Sequence, residues 1–468
     1  MSEPADTPDT PGKADTSGVP GSADAPETPG SADTAGTPAN AADTPGIPAS
    51  AGAPGSADAP DITWTEEVRP PGRARRGDKA APGDGPRDAH ADTEATPAPL
   101  TYTAHWHSES GLPAPRRVTV ADDRMKAAVA YRLVCEGTAL LWRGDYQGAR
   151  QLLRALGSRL DRLAPKPGAT PAETFHRHRQ ARGHRARVLG MLLVVLEDDH
   201  GLALRRAPDV RAACTEAYGT PRRRTVVSLR ELLGVIGAHE WRRKGVPVPA
   251  VDGRIHPHYG VFSPVRGEYV DLVAAAPLPP AAHRAPAAAT AFDLGTGTGV
   301  LAAVLARRGI GRIVATDSSP RALACARDNV ARLGIGDRVE VTDSGVLYPA
   351  GRADLVVCNP PWLPARPTSA VEQGVYDPDS AMLRAFLAGL ADRLEPEGEG
   401  WLILSDLAEH LGLRSRDELD EAFRAAGLRV VDRLDAKPRH PRASDASDPL
   451  HTARAAEVTS LWRLAPAG

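Results

Sequence analysis

A glycine-rich segment in the second half of the chain has the spacing of a nucleotide-binding turn. It reads Asp293-Leu-Gly295-Thr296-Gly297-Thr-Gly299 and lies between a predicted strand and a predicted helix. Glycine at alternate positions lets the backbone turn sharply and approach a ligand, and the N-terminus of the following helix offers free N–H groups. The segment also satisfies the dinucleotide pattern G-x-G-x-x-A, so these residues alone leave a nicotinamide or flavin site open.

Two acidic side chains follow the next two predicted strands. Asp317 ends the strand RIVATD, about twenty residues beyond the glycine loop, where a carboxylate can accept hydrogen bonds from both hydroxyls of a ribose. Asp343 and Ser344 follow the strand RVEVT, where a carboxylate can accept a hydrogen bond from an adenine amino group. Together these positions predict a nucleoside ligand without specifying which one.

A fourth predicted strand ends in Asn359-Pro360-Pro361-Trp362. The prolines lack N–H groups and push Asn359 into an extended conformation, so the loop presents carbonyl oxygens instead of donors. The side-chain carbonyl of Asn359 and the backbone carbonyl of Pro360 can receive two hydrogen bonds from an NH2 group, while Trp362 offers a flat face for stacking. These residue types predict a site that acts on a planar nitrogen bearing hydrogens.

The elements that carry these residues alternate between strand and helix from Ala289 to Leu464. Such alternation predicts a parallel sheet covered by helices on both faces, with the motifs at one edge of the sheet. Two closing strands, at 428–434 and 457–464, have no helix between them. They predict an antiparallel last strand.

In combination, the glycine loop, Asp317, Asp343 and the Asn-Pro-Pro-Trp motif resemble the class I S-adenosylmethionine-dependent methyltransferases with an Asn-Pro-Pro-aromatic motif. The resemblance covers residues 255 to 464. That group includes release-factor glutamine methyltransferases, ribosomal RNA guanine-N2 methyltransferases and adenine-N6 DNA methyltransferases. Two features depart from the release-factor enzymes: the aromatic residue is Trp, and the stretch HPHYGVFSPVRGEY lacks their Pro-Arg-x-Glu-Thr-Glu sequence.

The resemblance implies an α/β fold with a Rossmann-like, seven-stranded sheet, and S-adenosylmethionine as the cofactor. It also implies a role for each motif. The loop from Asp293 to Gly299 would hold the methionine end of the cofactor, Asp317 the ribose, and Asp343 with Ser344 the adenine. Asn359 would hold the acceptor nitrogen and would also contact the cofactor, with Pro360, Pro361 and Trp362 completing the catalytic motif.

Composition divides the chain into three parts. Residues 1–98 are built largely from Ala, Pro, Asp, Thr and Gly, which predicts a disordered tail because such a segment cannot bury enough surface to offset its ordering entropy. Residues 99–250 show apolar residues at helical spacing, with blocks at 174–197 and 226–243, and predict a mostly helical accessory domain for substrate recognition. Residues 251–468 form the methyltransferase-like domain.

Charge favours one class of acceptor. Residues 1–61 carry a net charge of −9 and the remainder +7, a balance that permits a nucleic-acid partner without demanding one. Basic clusters at Phe175–Arg187, Arg222–Arg224 and Arg242–Lys244 could follow a phosphate backbone or could be solvated helix faces. The sequence favours a nucleic-acid base as acceptor, in RNA more than in DNA.

Two alternatives stay open. In one, the acceptor is a protein glutamine or a small-molecule amine or amide, and the helical domain is a lid over the substrate. In the other, the chain is a non-catalytic or dehydrogenase-type nucleotide-binding protein, which leaves the Asn-Pro-Pro-Trp motif unexplained.

No metal site is predicted, because the four cysteines lie far apart and the pairs His105/His107 and His256/His258 have no carboxylate at ligand spacing. The first residues lack the basic and apolar regions of a signal peptide, and the longest strongly apolar run, Val188–Leu196, is too short to cross a bilayer. We therefore expect no membrane insertion and a cytoplasmic location.

Overall fold

The protein is described by a computed structural model that covers residues 60–66, 100–163, 165–343, 345, 347–367, 371–439 and 445–468. These residues form two large sheets, each covered by helices, and one small two-stranded sheet. Most of the predicted tail, residues 1–59 and 67–99, lies outside the described residues.

The accessory domain is built on a sheet whose described strands have the order β1-β2-β6-β5-β4-β3. The pairs β1–β2 and β5–β6 are antiparallel, and the other neighbours are parallel. The strands are β1 Asp61–Glu66, β2 Leu100–Trp106, β3 Arg117–Ala121, β4 Thr138–Trp142, β5 Leu192–Leu196 and β6 Thr225–Ser228. The helices are α1 Ala127–Cys135, α2 Tyr146–Asp161, α3 Pro171–Gly190, α4 Arg211–Tyr218 and α5 Leu229–Lys244.

The helices of this domain are accompanied by a six-stranded sheet that the sequence did not predict. β5 has the fully buried sequence Leu-Leu-Val-Val-Leu, which lacks the alternation of a half-exposed strand, so the prediction merged it with the helical block at 174–197. The predicted disordered tail is wrong for residues 61–66. There Ile62 and Trp64 are buried between exposed neighbours, and the strand pairs with β2.

The predicted alternation of strand and helix is confirmed in the C-terminal domain. Its described strands have the order β11-β10-β9-β12-β13-β15-β14, and β15 alone runs antiparallel to its neighbours. The strands are β9 Thr290–Leu294, β10 Arg312–Thr316, β11 Val339–Thr342, β12 Ala353–Cys358, β13 Leu394–Ser405, β14 Leu428–Ala436 and β15 Thr459–Pro466. The strand order reverses at β9, which creates a ligand-binding crevice at its carboxyl end.

Two apolar layers enclose this sheet. Ala291, Val357 and Ile403 face the layer formed with α6 and α8, whereas Phe292 and Val356 face the layer formed with α10 and α12. The helices of this part are α6 Glu268–Ala275, α7 Pro280–Arg284, α8 Val300–Arg307, α9 Pro320–Arg332, α10 Ala381–Arg393, α11 Leu407–His410, α12 Arg416–Ala425 and α13 His451–Ala456. The small sheet pairs β7 Val246–Val248 with β8 Gly253–Ile255. None of the described helices combines the length and apolarity needed to cross a bilayer.

Two of the contacts between the accessory domain and the C-terminal domain lie near the predicted site. Phe175 of α3 is buried in a cluster with Leu363 and Leu407 of the C-terminal domain. Arg321 of α9 forms a bidentate ion pair with Glu109, with N–O distances of 2.6 and 3.1 Å. The first contact lies just after the Asn-Pro-Pro-Trp motif and the second just after Asp317, so both border the predicted site.

Candidate functional site

The glycine loop follows β9 and turns into α8 through three left-handed residues, Gly295, Gly297 and Gly299, with φ of +71°, +54° and +79°. The N–H groups of Gly295 and Thr296 both donate to the carbonyl oxygen of Thr316 at 2.9 Å, which ties the loop to β10. A Cβ atom on Gly297 would have no protein atom closer than 4.0 Å. The backbone is therefore open to a ligand at Gly297.

Asp293 organises the loop from beneath. Its side chain is 1% exposed, and its Oδ2 accepts hydrogen bonds from Thr296 Oγ1 at 2.6 Å and from the Ala302 N–H at 3.0 Å. Burial raises the pKa of Asp293 to about 6, although both hydrogen bonds oppose the shift. The carboxylate thus holds the loop and the first turn of α8 together.

Asp317 flanks the same loop at the end of β10. Its Oδ2 accepts from the Gly297 N–H at 3.0 Å, and its Oδ1 accepts from the Ser319 N–H at 2.8 Å. Burial raises the pKa of Asp317, and the backbone hydrogen bonds act in the opposite direction. The carboxylate lies beside the open space at Gly297, and its binding to a ribose stays a prediction.

Asp343 lies after β11, at the same edge of the sheet, and is exposed. Its Oδ1 accepts a hydrogen bond from the Gly345 N–H at 3.1 Å, so the carboxylate closes a local turn. Ser344 lies outside the described residues. The adenine contact assigned to these two residues stays a prediction.

The motif Asn359-Pro360-Pro361-Trp362 follows β12, next to β9. It is called the acceptor motif here because the sequence predicts that it binds the acceptor nitrogen. The indole N–H of Trp362 donates to Asn359 Oδ1 at 2.9 Å, and no described residue donates to the Pro360 carbonyl. An amide oxygen has two lone pairs, so Asn359 keeps capacity for a second hydrogen bond. The two acceptors that the sequence predicts are thus available, but Asn359 and Trp362 are coupled.

The ring of Trp362 is engaged in a way that the sequence did not reveal. The guanidinium carbon of Arg266 lies 5.3 Å from the ring centroid, and Arg266 also contacts the buried carboxylates of Glu268 and Glu457. In this conformation a cation covers the ring that was expected to offer a free stacking face. The sequence Arg266-Gly-Glu268 at the start of α6 could have indicated the ion pair between Arg266 and Glu268. Glu457 lies 191 residues away, and no local pattern indicates it.

The histidines have other contacts. His107 Nε2 lies 3.0 Å from a Glu109 oxygen, and His258 Nε2 lies 3.1 Å from Asp328. Among the described residues, no group of three or more His, Cys, Asp or Glu side chains is arranged to hold a metal ion.

Comparison with known proteins assigns the C-terminal domain. Residues 252–430 match the family model described as Methyltransferase small domain. A release factor glutamine methyltransferase of Cereibacter sphaeroides is 35% identical over 165 residues, which are 32% of this chain and 58% of that protein. A ribosomal protein L11 methyltransferase of Pelotomaculum thermopropionicum is 48% identical over 71 residues, 15% of this chain and 23% of that protein.

A third relative is a tRNA1(Val) (adenine(37)-N6)-methyltransferase of Bacteroides thetaiotaomicron, which is 32% identical over 131 residues. The match covers 26% of this chain and 54% of that protein. The chain therefore spans less than two thirds of the length of these relatives. The matched region contains the glycine loop, Asp317 and the Asn-Pro-Pro-Trp motif, on a seven-stranded sheet with one antiparallel strand. The C-terminal domain of this chain is therefore a class I, S-adenosylmethionine-dependent methyltransferase domain of the small-domain type.

Proposed function

We propose that this chain transfers a methyl group from S-adenosylmethionine to a planar, hydrogen-bearing nitrogen of a nucleic-acid base, in RNA rather than DNA. The observation that carries the proposal is the position of Asn359 and Pro360. Their carbonyl oxygens lie at the carboxyl end of β12, and the open glycine loop lies at the carboxyl end of the adjacent strand β9. Cofactor and acceptor can therefore meet in one crevice.

The residues present fit the cofactor. The open space at Gly297 is bordered by the carboxylate of Asp317, which can accept hydrogen bonds from a ribose. The glycine loop is held rigid from below by Asp293 and from the side by Thr316. S-adenosylmethionine, when bound, supplies an electrophilic methyl group on a sulfonium.

The chain's own contribution is to localise the acceptor's lone pair. An amide or exocyclic amine nitrogen is a poor nucleophile because its lone pair is delocalised. Hydrogen bonds from its two N–H groups to Asn359 Oδ1 and to the Pro360 carbonyl favour the pyramidal nitrogen that forms as the methyl arrives. The bond from Trp362 Nε1 fixes the Asn359 side chain in one orientation before the acceptor binds.

The proposed mechanism needs no strong base. The product proton becomes acidic once the nitrogen is cationic, and water can take it. Cys358, immediately before Asn359, is completely buried, and burial raises the pKa of its thiol well above the usual range. This thiol is a packing group and not a nucleophile.

A nucleic-acid acceptor is supported by the charge of α3. This helix contains five arginines and one glutamate, and it packs against the segment that follows the acceptor motif. Arg179 lies over the ring of Tyr376 at 3.9 Å, and its guanidinium donates to the carbonyl oxygen of Arg366 at 2.8 Å. A phosphate backbone that followed α3 would run beside the segment after the Asn-Pro-Pro-Trp motif.

A protein glutamine is the second candidate acceptor, because the relative from Cereibacter sphaeroides is named a release factor glutamine methyltransferase. A glutamine side chain carries the same planar NH2 group and would use the same two carbonyls. The cytoplasmic location inferred from the sequence stays a prediction.

Two measurements test the proposal. Calorimetry should show binding of S-adenosylhomocysteine by the purified chain. If no binding is measured, both hypotheses, methyl transfer to a nucleic-acid base and methyl transfer to a protein glutamine, are rejected. The second measurement incubates the chain with tritiated S-adenosylmethionine and a lysate from cells that lack the gene, then digests the product with nuclease or protease. We expect nuclease to release the label. If nuclease does not release the tritium label and protease does, the result would favour a protein glutamine as the acceptor.

A further inference from the structure

A buried polar cluster lies beside the acceptor motif. Arg266 Nε donates to Glu268 Oε1 at 2.9 Å, and Arg266 Nη2 donates to Glu457 Oε1 at 3.1 Å. Ser405 Oγ donates to the same Glu457 oxygen at 2.7 Å. Glu268, Glu457 and Ser405 are each at most 3% exposed. Two carboxylates and a hydroxyl thus hold one guanidinium in place.

The cluster lies on the face of the sheet that α6 and α8 cover. Val357, Ile403 and Leu461 all belong to the layer under α6 and α8. Because side chains alternate along a strand, Ser405, two positions beyond Ile403, lies on this face. Thr459, two positions before Leu461 on the antiparallel strand β15, lies there as well and pairs with Ser405. Asn359, one residue past the end of β12, is connected to this face through Trp362, which packs against the same layer and binds the Asn359 side chain.

Several polar atoms in this row of side chains, which consists of Arg266, Glu268, Ser405, Glu457 and Thr459, have no hydrogen-bond partner among the described residues. Glu268 Oε2 and Thr459 Oγ1 are buried and have no hydrogen-bond partner among the described residues. Arg266 Nη1 likewise donates to none of them, and 21% of the Arg266 side chain is exposed. Unpaired buried polar atoms are costly, so a polar row of this kind at a ligand crevice indicates a polar ligand group.

The free donor of Arg266 and the acceptor oxygen of Asn359 are linked through one side chain. Arg266 lies over the ring of Trp362, and the indole N–H of Trp362 binds Asn359. The carboxylates of Glu268 and Glu457 outweigh the positive charge of the Arg266 guanidinium. The cluster therefore has no net positive charge that would bind an anion. Arg266 instead offers the N–H groups of a planar guanidinium, which its two carboxylate partners hold in one orientation.

We propose that Arg266 determines acceptor specificity: its Nη1 donates to the acceptor atom X of an N–C=X unit whose nitrogen is the one methylated, while Asn359 and Pro360 accept hydrogen bonds from the N–H groups of that nitrogen. This inference rests on the proposed function. The donor and acceptors together match an N–C=X unit, which for a nucleobase is an exocyclic amine next to a ring nitrogen. A primary alkylamine, such as a lysine side chain, has no acceptor atom at that place.

The test uses the full chain, tritiated S-adenosylmethionine and RNA from cells that lack the gene. Arg266→Lys keeps the positive charge between Glu268 and Glu457 but removes the planar third donor. Arg308→Lys is the matched control, because Arg308 also lies over a tryptophan, Trp401 at 5.4 Å, and donates to backbone carbonyls away from the site. Nucleoside digestion of the product identifies the methylated atom.

We expect label on an exocyclic amine. Arg266→Lys should raise the KM for RNA and lower kcat/KM by at least about tenfold, the effect of one lost charge-assisted hydrogen bond. Its affinity for S-adenosylhomocysteine should stay within about twofold, and Arg308→Lys should keep wild-type kcat/KM. If Arg266→Lys does not fold, Glu457→Gln decides. Its amide oxygen can still accept from Ser405, while Arg266 loses one of its two ionic partners and keeps only Glu268. The value of kcat/KM should again fall.

Three results would overturn the inference while the proposed function stands. The first is an unchanged kcat/KM in Arg266→Lys, or in Glu457→Gln where that variant decides, while the wild-type enzyme is active. The second is a loss of affinity for S-adenosylhomocysteine in the same variant that equals its loss of kcat/KM. The third is label on a sugar hydroxyl or an alkylamine. A wild-type chain that binds S-adenosylhomocysteine but labels no RNA would instead reject the proposed RNA acceptor, and with it the nucleobase assignment of Arg266.

Discussion

The indole N–H of Trp362 donates a hydrogen bond of 2.9 Å to the side-chain oxygen of Asn359. Two residues of the acceptor motif are thereby joined, and the aromatic residue positions the amide in addition to any contact with the acceptor. This arrangement suits tryptophan in particular, because phenylalanine has no donor and the hydroxyl of tyrosine lies at a different distance from the backbone.

Replacing Trp362 with phenylalanine tests this coupling. Trp362→Phe keeps an aromatic ring beside Arg266 but removes the hydrogen bond to Asn359, so we expect kcat to fall about fivefold, the effect of roughly 1 kcal/mol. Affinity for S-adenosylhomocysteine should not change. Trp401→Phe is the control, because its indole N–H bonds the buried Glu399 away from the site. Wild-type turnover in Trp362→Phe would show that the hydrogen bond has no role in catalysis.

Asp317 should matter for cofactor binding before it matters for turnover. Both of its oxygens accept backbone hydrogen bonds, from Gly297 and Ser319, and an asparagine could keep only one of them. We expect Asp317→Asn to weaken binding of S-adenosylhomocysteine by at least about tenfold in calorimetry. Asp343→Asn, at an exposed carboxylate, should weaken it less. Equal losses of affinity for S-adenosylhomocysteine in the two variants would contradict the larger role in cofactor binding that is expected for Asp317.

Asp293 should give the protein a characteristic dependence of stability on pH. Its pKa is about 6 in the folded protein, against an ordinary value of 3.8. The folded state therefore holds the proton more tightly than the unfolded state, and its stability falls as pH rises from about 4 to about 6.

Asp293→Asn does not ionise, so it should lack this fall. The free energy of unfolding of the variant, relative to wild type, should rise by about 3 kcal/mol between pH 4 and pH 7. Urea unfolding at four pH values in this range measures the difference. A constant difference between variant and wild type would show that Asp293 ionises at its ordinary pKa.

The ion pair between Glu109 and Arg321 should stabilise the contact between the two domains. Glu109 is 6% exposed and also contacts His107, so Glu109→Gln leaves a partly buried guanidinium with a weaker partner. We expect a loss of about 2 kcal/mol in unfolding free energy. The exposed pair Arg284–Glu397 is the control, and Glu397→Gln should cost less than about 0.5 kcal/mol. Similar losses would mean that the interdomain pair is no more than a surface salt bridge.

The sequence predicted the part of the fold in which local pattern and position agree. The strands β9, β10 and β12 are apolar, alternate with helices, and end in residues with a recognisable chemistry. The accessory sheet was missed because β4 and β5 are buried on both faces and show no alternation. β1 was missed because its partner β2 begins 34 residues after it ends, beyond a segment of low complexity.

The candidate site divides in the same way. The glycine loop and Asn359 could be predicted because each motif is continuous in the sequence. The cluster that holds Arg266 could not, because it joins the start of α6 to Ser405 and Glu457, which only the folded sheet brings together. The same holds for Glu109 and Arg321, 212 residues apart.

In the proposed mechanism Asn359 acts mainly on the acceptor nitrogen, and its contact with the cofactor contributes little to cofactor affinity. Asn359→Ala should lower the rate of tritiated methyl transfer to the acceptor by about 100-fold or more, as expected for the loss of a preorganised transition-state contact. In the same preparation, calorimetry should give wild-type affinity for S-adenosylhomocysteine. A loss of cofactor affinity equal to the loss of turnover would contradict the role assigned to Asn359.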